Sequence, residues 1–233
     1  MTDPLADLTR LEGVGSAVAA AMAAVDTLLR DRGLRQLGDE EVAGSLLSQG
    51  RASAALAGVT EGPELLATVR LASELPQLAD MLRERPAQAL ARLHTLWGRG
   101  IVPDADLGHP RDDAVAARRL ASLLPVLRQP SEAPALVRAA VVEADLICFN
   151  AFGRGTGPVA RAAAQGLLMA YGVDPRGVVP LAEGHRLLGG YQSRIAAYAV
   201  GSGGGVRDWL VHSAQALTRA VEASPVAERL RQD

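Results

Sequence analysis

Residues 135–149 form a helix-length stretch that is apolar on almost every side. A helix without a water-facing stripe has to be wrapped by other elements, so this segment belongs at the centre of a bundle. The rest of the chain supplies the wrapping. Ala and Leu are abundant while aromatics make up only 3% of 233 residues, which favours close-packed helices over a β sandwich.

Residues 11–32 place Val14, Val18, Ala21, Val25, Leu28 and Leu29 at helical spacing, with Gly33 as a stop. Asp39 reads as the N-cap of a second helix that runs through Ala57 and ends at Gly58. Helices are expected over 64–82, 87–97, 112–127, 158–171, 186–200 and 206–222, with Val115, Leu120, Leu123 and Leu124 inward on the 112–127 helix. Gly and Pro make 98–110 a loop with room for a rudimentary hairpin at most, and 201–205 a glycine-rich loop. No 20–50-residue period repeats, so a solenoid is excluded. The expectation is an all-α chain of about eight helices.

Charge and residue usage narrow the chemistry. The 24 basic and 26 acidic residues nearly cancel, against a general binder of nucleic acid or anionic membranes. Every basic residue is Arg, so lysine chemistry is excluded. One cysteine, Cys148, forms no internal disulfide framework and is expected as a buried small apolar residue. No metal site is expected: His94, His109 and His212 lack ligand spacing with each other. Asp3 and Asp7 stand where an export signal has positive charge, and the uncharged run 13–25 is shorter than the roughly 20 residues a bilayer requires. The expected location is cytoplasmic, with no membrane partner. Leu71, Leu75 and Leu78 form an apolar face suited either to the core or to a homodimer contact.

The segment with most chemical content follows the apolar helix: Asn150, Ala151, Phe152, Gly153, Arg154, Gly155, Thr156, Gly157, Pro158, Val159, Ala160, Arg161. Alternating glycines let backbone amides turn to one side, Pro158 suits the first helical position, and a helix N-terminus attracts anions. Arg154 and Arg161 add permanent charges suited to phosphate. The same text also fits an ordinary glycine-rich connection with solvated arginines. Read as a strand entering a dinucleotide-binding turn, it implies an NAD(P)-dependent oxidoreductase; Pro158 interrupts that fingerprint and no flanking βαβ units are visible.

The order helix, Phe-Gly-rich loop, helix with a terminal Arg resembles the Fic/Doc family, whose pattern is His-Pro-Phe-x-x-Gly-Asn-Gly-Arg-x-x-Arg. Phe152 (the motif anchor), Gly155, Gly157 and Arg161 match it. Asn150 occupies the histidine position, Ala151 the proline, Thr156 the asparagine and Pro158 the first arginine. Leu93-His94 and Asp174-Pro175 are further similarities, and the overlap runs over about 64–222. Upstream, Ser53 and Gly58 match a Ser/Thr-x-x-x-Glu-Gly/Asn inhibitory helix, with Ala57 in place of its glutamate. Ser-Ala-Ala-Leu-Ala-Gly is also common helix-end text in an Ala-rich chain.

The resemblance implies a Fic-like helical bundle over 61–233 with an N-terminal helical extension over 1–60. It implies a nucleotide with Mg as ligand, held by Gly153, Arg154, Gly155, Thr156, Gly157 and Arg161, and a protein hydroxyl as the acceptor of a nucleotide monophosphate. The substitutions imply that transfer is lost. Asn150 accepts no proton near neutral pH, and absence of a general base lowers rate by roughly 10²–10⁴. Glu143 lies about 10 Å up the helix from Asn150, too far for direct transfer. Asp145 points to another side, and His185 is the one histidine placed to fold back. The expected function is a degenerate, nucleotide- or phosphate-binding or regulatory protein with an unknown protein partner. The alternatives are an active Fic-type nucleotidyltransferase with a non-standard base, and a structural interaction module.

Overall fold

The computed structural model describes residues 3–31, 34 and 38–231. Among these it has thirteen α-helices and no strand: α1 Pro4–Leu8, α2 Val14–Leu29, α3 Asp39–Leu56, α4 Gly62–Ser73, α5 Leu75–Glu84, α6 Pro86–Gly98, α7 Ala114–Arg128, α8 Ala135–Cys148, α9 Thr156–Ala170, α10 Leu181–Leu188, α11 Tyr191–Ala199, α12 Gly203–Glu222 and α13 Pro225–Leu230. The all-α expectation holds. No helix among the described residues is long and apolar enough to cross a membrane.

At the centre, α8 and α9 pack against each other. Leu136 to Ala144 and Leu146 of α8 are buried, as are Pro158 to Met169 of α9. On one side α4, α5 and α6 cover α9, while α11 and α12 cover α8 from another. Helix α3 lies between α4 and α10 and also touches α9; α2 runs along α12. Val14, Val18, Ala21, Val25 and Leu28 of α2 are buried as the spacing predicts. The proposed stop at Gly33 lies outside the described residues.

Two helices expected as single runs are broken. Pro76 has no N–H to continue the ladder, so 64–82 divides into α4 and α5 around Glu74. Gly189 and Gly190, each at φ 72°, divide 186–200 into α10 and α11. In the other direction, α12 begins inside the supposed 201–205 loop. Ser202 caps it by accepting from the Gly205 N–H at 3.1 Å. A Cβ at Gly205 would sit 2.2 Å from the Ala197 carbonyl oxygen, so its missing side chain lets α11 and α12 cross closely.

Smaller expectations are corrected by register and burial. Asp39 is the first residue of α3, and Gly38 is its cap without a side-chain bond. Val115 is exposed, and Ala116 takes the inward position beside Leu123. Cys148 is exposed rather than buried, at the last turn of α8. The 98–110 interval contains a 3-10 turn at Asp104–Asp106 and no hairpin. Leu71, Leu75 and Leu78 are buried in the chain's own core.

Candidate functional site

A helix enters the glycine-rich loop, which removes the strand that a dinucleotide-binding turn requires. Helix α8 closes at Asn150, whose φ of 50° is the one left-handed non-glycine conformation among the described residues. Its N–H donates to the Ile147 carbonyl (3.1 Å) and that of Ala151 to Leu146 (3.2 Å), the paired bonds of a Schellman end. Asn is one of the few side-chain-bearing residues that tolerate this conformation. The Gly153 N–H donates to Asn150 and the Thr156 N–H to Gly153, each at 3.3 Å. Gly155 then caps α9 at φ 91°, so the helix begins at Thr156, two residues earlier than the start expected at Pro158.

The buried Thr156 hydroxyl closes this loop on itself. It accepts from the Phe152 N–H and donates to the Asn150 side-chain oxygen, both at 3.0 Å. Thr156→Val is expected to lower stability by about 1–3 kcal/mol, because it leaves the Phe152 N–H buried without an acceptor. Urea unfolding measures the loss, and an unchanged midpoint would contradict this role.

Asn150, Gly153, Gly155, Thr156 and Gly157 share one wall of a cavity of about 260 Å³. Ala54 from α3, Ala57 at its C-cap, Thr68 from α4 and Trp97 from α6 face them. The N–H groups of Gly155 and Gly157 make no intramolecular hydrogen bond among the described residues. Phe152 turns to the opposite side and stacks on His94 at 4.7 Å. His94 accepts from the Gly108 N–H at Nδ1 and donates from Nε2 to the Arg154 carbonyl, each at 3.1 Å. Burial holds its pKa below the usual imidazole range. Thus His94 anchors the loop.

The two arginines diverge. Arg154 lies at the cavity rim, paired with Glu64 at 2.5 Å and donating to the Ile101 carbonyl at 3.0 Å. Arg161 points into the protein and is 3% exposed. Its Nε donates to the Ser53 hydroxyl (2.9 Å) and Nη2 to the Ser53 carbonyl (2.7 Å). Gly157 makes room for this fold-back, since a Cβ there would lie 3.2 Å from the guanidinium nitrogens. Ser53 therefore meets Arg161 directly, Ala57 lines the cavity, and Gly58 borders an adjoining hollow with Glu64 and Arg154.

Tyr191, which the sequence reading did not single out, completes the surroundings of Arg161. Its hydroxyl accepts from Arg161 Nη1 at 3.4 Å and donates to Glu143 at 2.6 Å. Thirty residues and a helix break separate Tyr191 from Arg161, and no spacing marks the pair. Burial pushes the Glu143 carboxyl up to about 7, against the pull of Tyr191 and Arg161. His185 is a core histidine and does not line the cavity at the loop; its Nε2 lies 3.7 Å from Glu143. Asp174 accepts from the Val178 and Val179 N–H groups (2.9 and 2.8 Å) and fixes the turn after α9. Among the described residues no group of three or more His, Cys, Asp or Glu is placed to hold a metal ion.

Compared with solved structures, the chain is similar to a Fic family protein from Desulfovibrio desulfuricans G20. The match has a TM-score of 0.68 and 16% identity, and covers 88% of this chain and 73% of that one. The fold is Fic-like. No family model matches the chain, and no curated protein does. At this identity the likeness is one of architecture; the Fic-like fold places an all-helical frame around the loop, and the loop's chemistry rests on its own residues.

Proposed function

We propose that this chain is a catalytically degenerate Fic-like protein that has lost standard nucleotidyl (AMP) transfer and works as a nucleotide- or phosphate-responsive binding or regulatory protein. The observation that carries this reading is the closed state of the loop's polar groups. The residue standing where the family pattern has its proton acceptor is Asn150, and its side-chain oxygen is engaged by Thr156. The terminal arginine is engaged by Ser53, in the segment resembling an inhibitory helix. The N-terminus of α9, with its partial positive charge, lines the cavity together with Glu64 and Arg154, which pair with each other. At about 260 Å³ the cavity is smaller than the range typical of drug-sized ligands and suits the phosphate end of a nucleotide or free phosphate.

Calorimetry with ATP, with and without Mg²⁺, and with inorganic phosphate tests binding. Heat is expected for the wild type and none for Ala57→Glu, which puts a carboxylate on the cavity wall. Absence of heat in the wild type removes the ligand. Labelled ATP, GTP, UTP and CTP incubated with a lysate are expected to give no labelled band; a band would establish the active-transferase alternative. The triple change Asn150→His, Thr156→Asn and Pro158→Arg is expected to produce self-labelling, and a folded triple variant that labels nothing counts against alignment with the family motif.

A second reading, a structural interaction module, is favoured by the Arg154–Glu64 pair, since it leaves the rim without a free cation. It predicts no heat with any phosphate compound.

A further inference from the structure

Among the described residues, three buried side-chain nitrogens have no hydrogen-bond partner, and all three lie in one cluster: Nδ1 and Nε2 of His185 and Nε2 of His212. Native interiors leave few such groups unpaired, so the concentration calls for a physical account. The rings of His185 and His212 stack at 5.2 Å, and Trp209 lies against both. Glu143 Oε2 lies 3.7 Å from His185 Nε2, beyond hydrogen-bond distance. The other oxygen of Glu143 accepts from Tyr191, Tyr191 accepts from Arg161, and Arg161 holds Ser53 of α3. At the opposite end His212 borders a surface cleft of about 760 Å³ between α11 and α12, with Ser193, Arg194 and Asp208. A chain of hydrogen bonds therefore runs from Glu143 to the α3 contact beside the glycine loop, with the two histidines packed behind it.

We propose that Glu143, Tyr191 and Ser53 form a proton-gated lock on Arg161: protonation of Glu143 removes the counter-charge of Arg161, loosens the hold of Tyr191 on it and weakens the grip of α3. The proton comes from solvent, and a carboxyl oxygen of Glu143 receives it. No other bond changes. When Glu143 is ionised, the Tyr191 O–H is committed to the carboxylate and the phenol oxygen is free to accept from Arg161, whose buried charge is offset. When Glu143 is neutral, Arg161 is a buried cation without a counter-charge, which is strongly unfavourable.

The groups facing Glu143 are Arg161 from α9, Tyr191 from α11, His185 from α10 and, behind it, His212 from α12. Helix α7 sends Arg119 to Asp145 instead. Burial holds both imidazoles below their ordinary range, His212 at about 4, while Glu143 is raised to about 7. Of these groups, the carboxyl is the one that takes up a proton near neutral pH.

Two opposite pH dependences follow. Arg161 beside Glu143 favours the carboxylate, so conformers with α3 engaged gain population as pH rises. Global stability moves the other way. The folded carboxyl is raised from 4.5 to about 7, so its contribution is full below 4.5 and is lost as pH rises through 7.

Amide hydrogen exchange over residues 45–58, corrected for intrinsic rates, is the test. Protection of α3 is expected to rise about tenfold between about pH 6 and about pH 8 in the wild type, the effect of one pKa unit of difference between the engaged and released states. Urea stability is expected to fall over the same range. Glu143→Gln and Tyr191→Phe are each expected to flatten the exchange profile. A flat wild-type profile overturns the lock, as does a wild-type slope in either folded variant. A carboxyl ¹³C titration of the wild type in which no glutamate titrates between about pH 6 and about pH 8 overturns it without any variant.

Discussion

Arg161→Ala is expected to destabilise the protein by about 3–5 kcal/mol, the range seen when one partner of a buried charge network is removed. The guanidinium is 3% exposed and joins Ser53 of α3 to Tyr191 of α11. Its removal leaves the Ser53 carbonyl and hydroxyl without their donor and Glu143 without the nearest positive charge. Glu143→Gln made alongside is expected to recover part of the loss, because the neutral amide no longer needs that charge. The double variant should therefore lose less than the sum of the two single changes. Equilibrium urea unfolding of the four proteins measures the coupling. Strict additivity would mean that Arg161 and Glu143 act independently.

Gly155→Ala is expected to lower stability by about 3 kcal/mol through two separate effects. The residue sits at φ 91°, where a Cβ is strained. That Cβ would also lie 2.4 Å from a ring carbon of Trp97. The ring cannot easily yield: it is 2% exposed, and its Nε1 donates to the Thr68 hydroxyl at 3.0 Å. Gly153→Ala separates the two effects. It has φ 68° with nothing within 4 Å of the added carbon, so only the backbone effect remains, about 1–2 kcal/mol. Equal losses in the two variants would show that the Trp97 contact contributes nothing. Tryptophan fluorescence follows both, since Trp97 also faces the cavity.

The contrast between these glycines marks what a sequence can and cannot disclose about the candidate site. Alternation at 153, 155 and 157 signals an unusual backbone, and the backbone is unusual. Yet Gly153 serves a turn, Gly155 serves a turn and a tryptophan, and Gly157 gives room for Arg161 to fold back. Those differences depend on Trp97 and on the guanidinium, which arrive from outside the turn. Arg154 and Arg161 were equivalent on the page as phosphate partners. In the fold one pairs with Glu64 at the rim and the other is enclosed.

Helix class and the central place of residues 135–149 were legible because they rest on periodicity and on the absence of a polar stripe, which are local properties of the chain. The helix breaks at Pro76 and at Gly189–Gly190 were missed although the breaking residues were in plain view. Apolar spacing continues across each break, and only the structure shows where one helix ends and the next begins. Ser53 attracted notice as part of a short pattern, but its partner was fixed by the position of α3 against α9. Glu143, Tyr191, His185 and His212 come from α8, α11, α10 and α12, and their interaction is a product of helix crossing alone.

By itself, then, the sequence determined an all-helical chain, one of its two central helices and a glycine-rich turn that lacks a proton acceptor. Each is a matter of residue type and short-range spacing. The tertiary structure decided which charges face solvent, which are enclosed, and which distant side chains meet. Burial and charge pairing depend on how separated segments are brought together, and short-range spacing does not encode that.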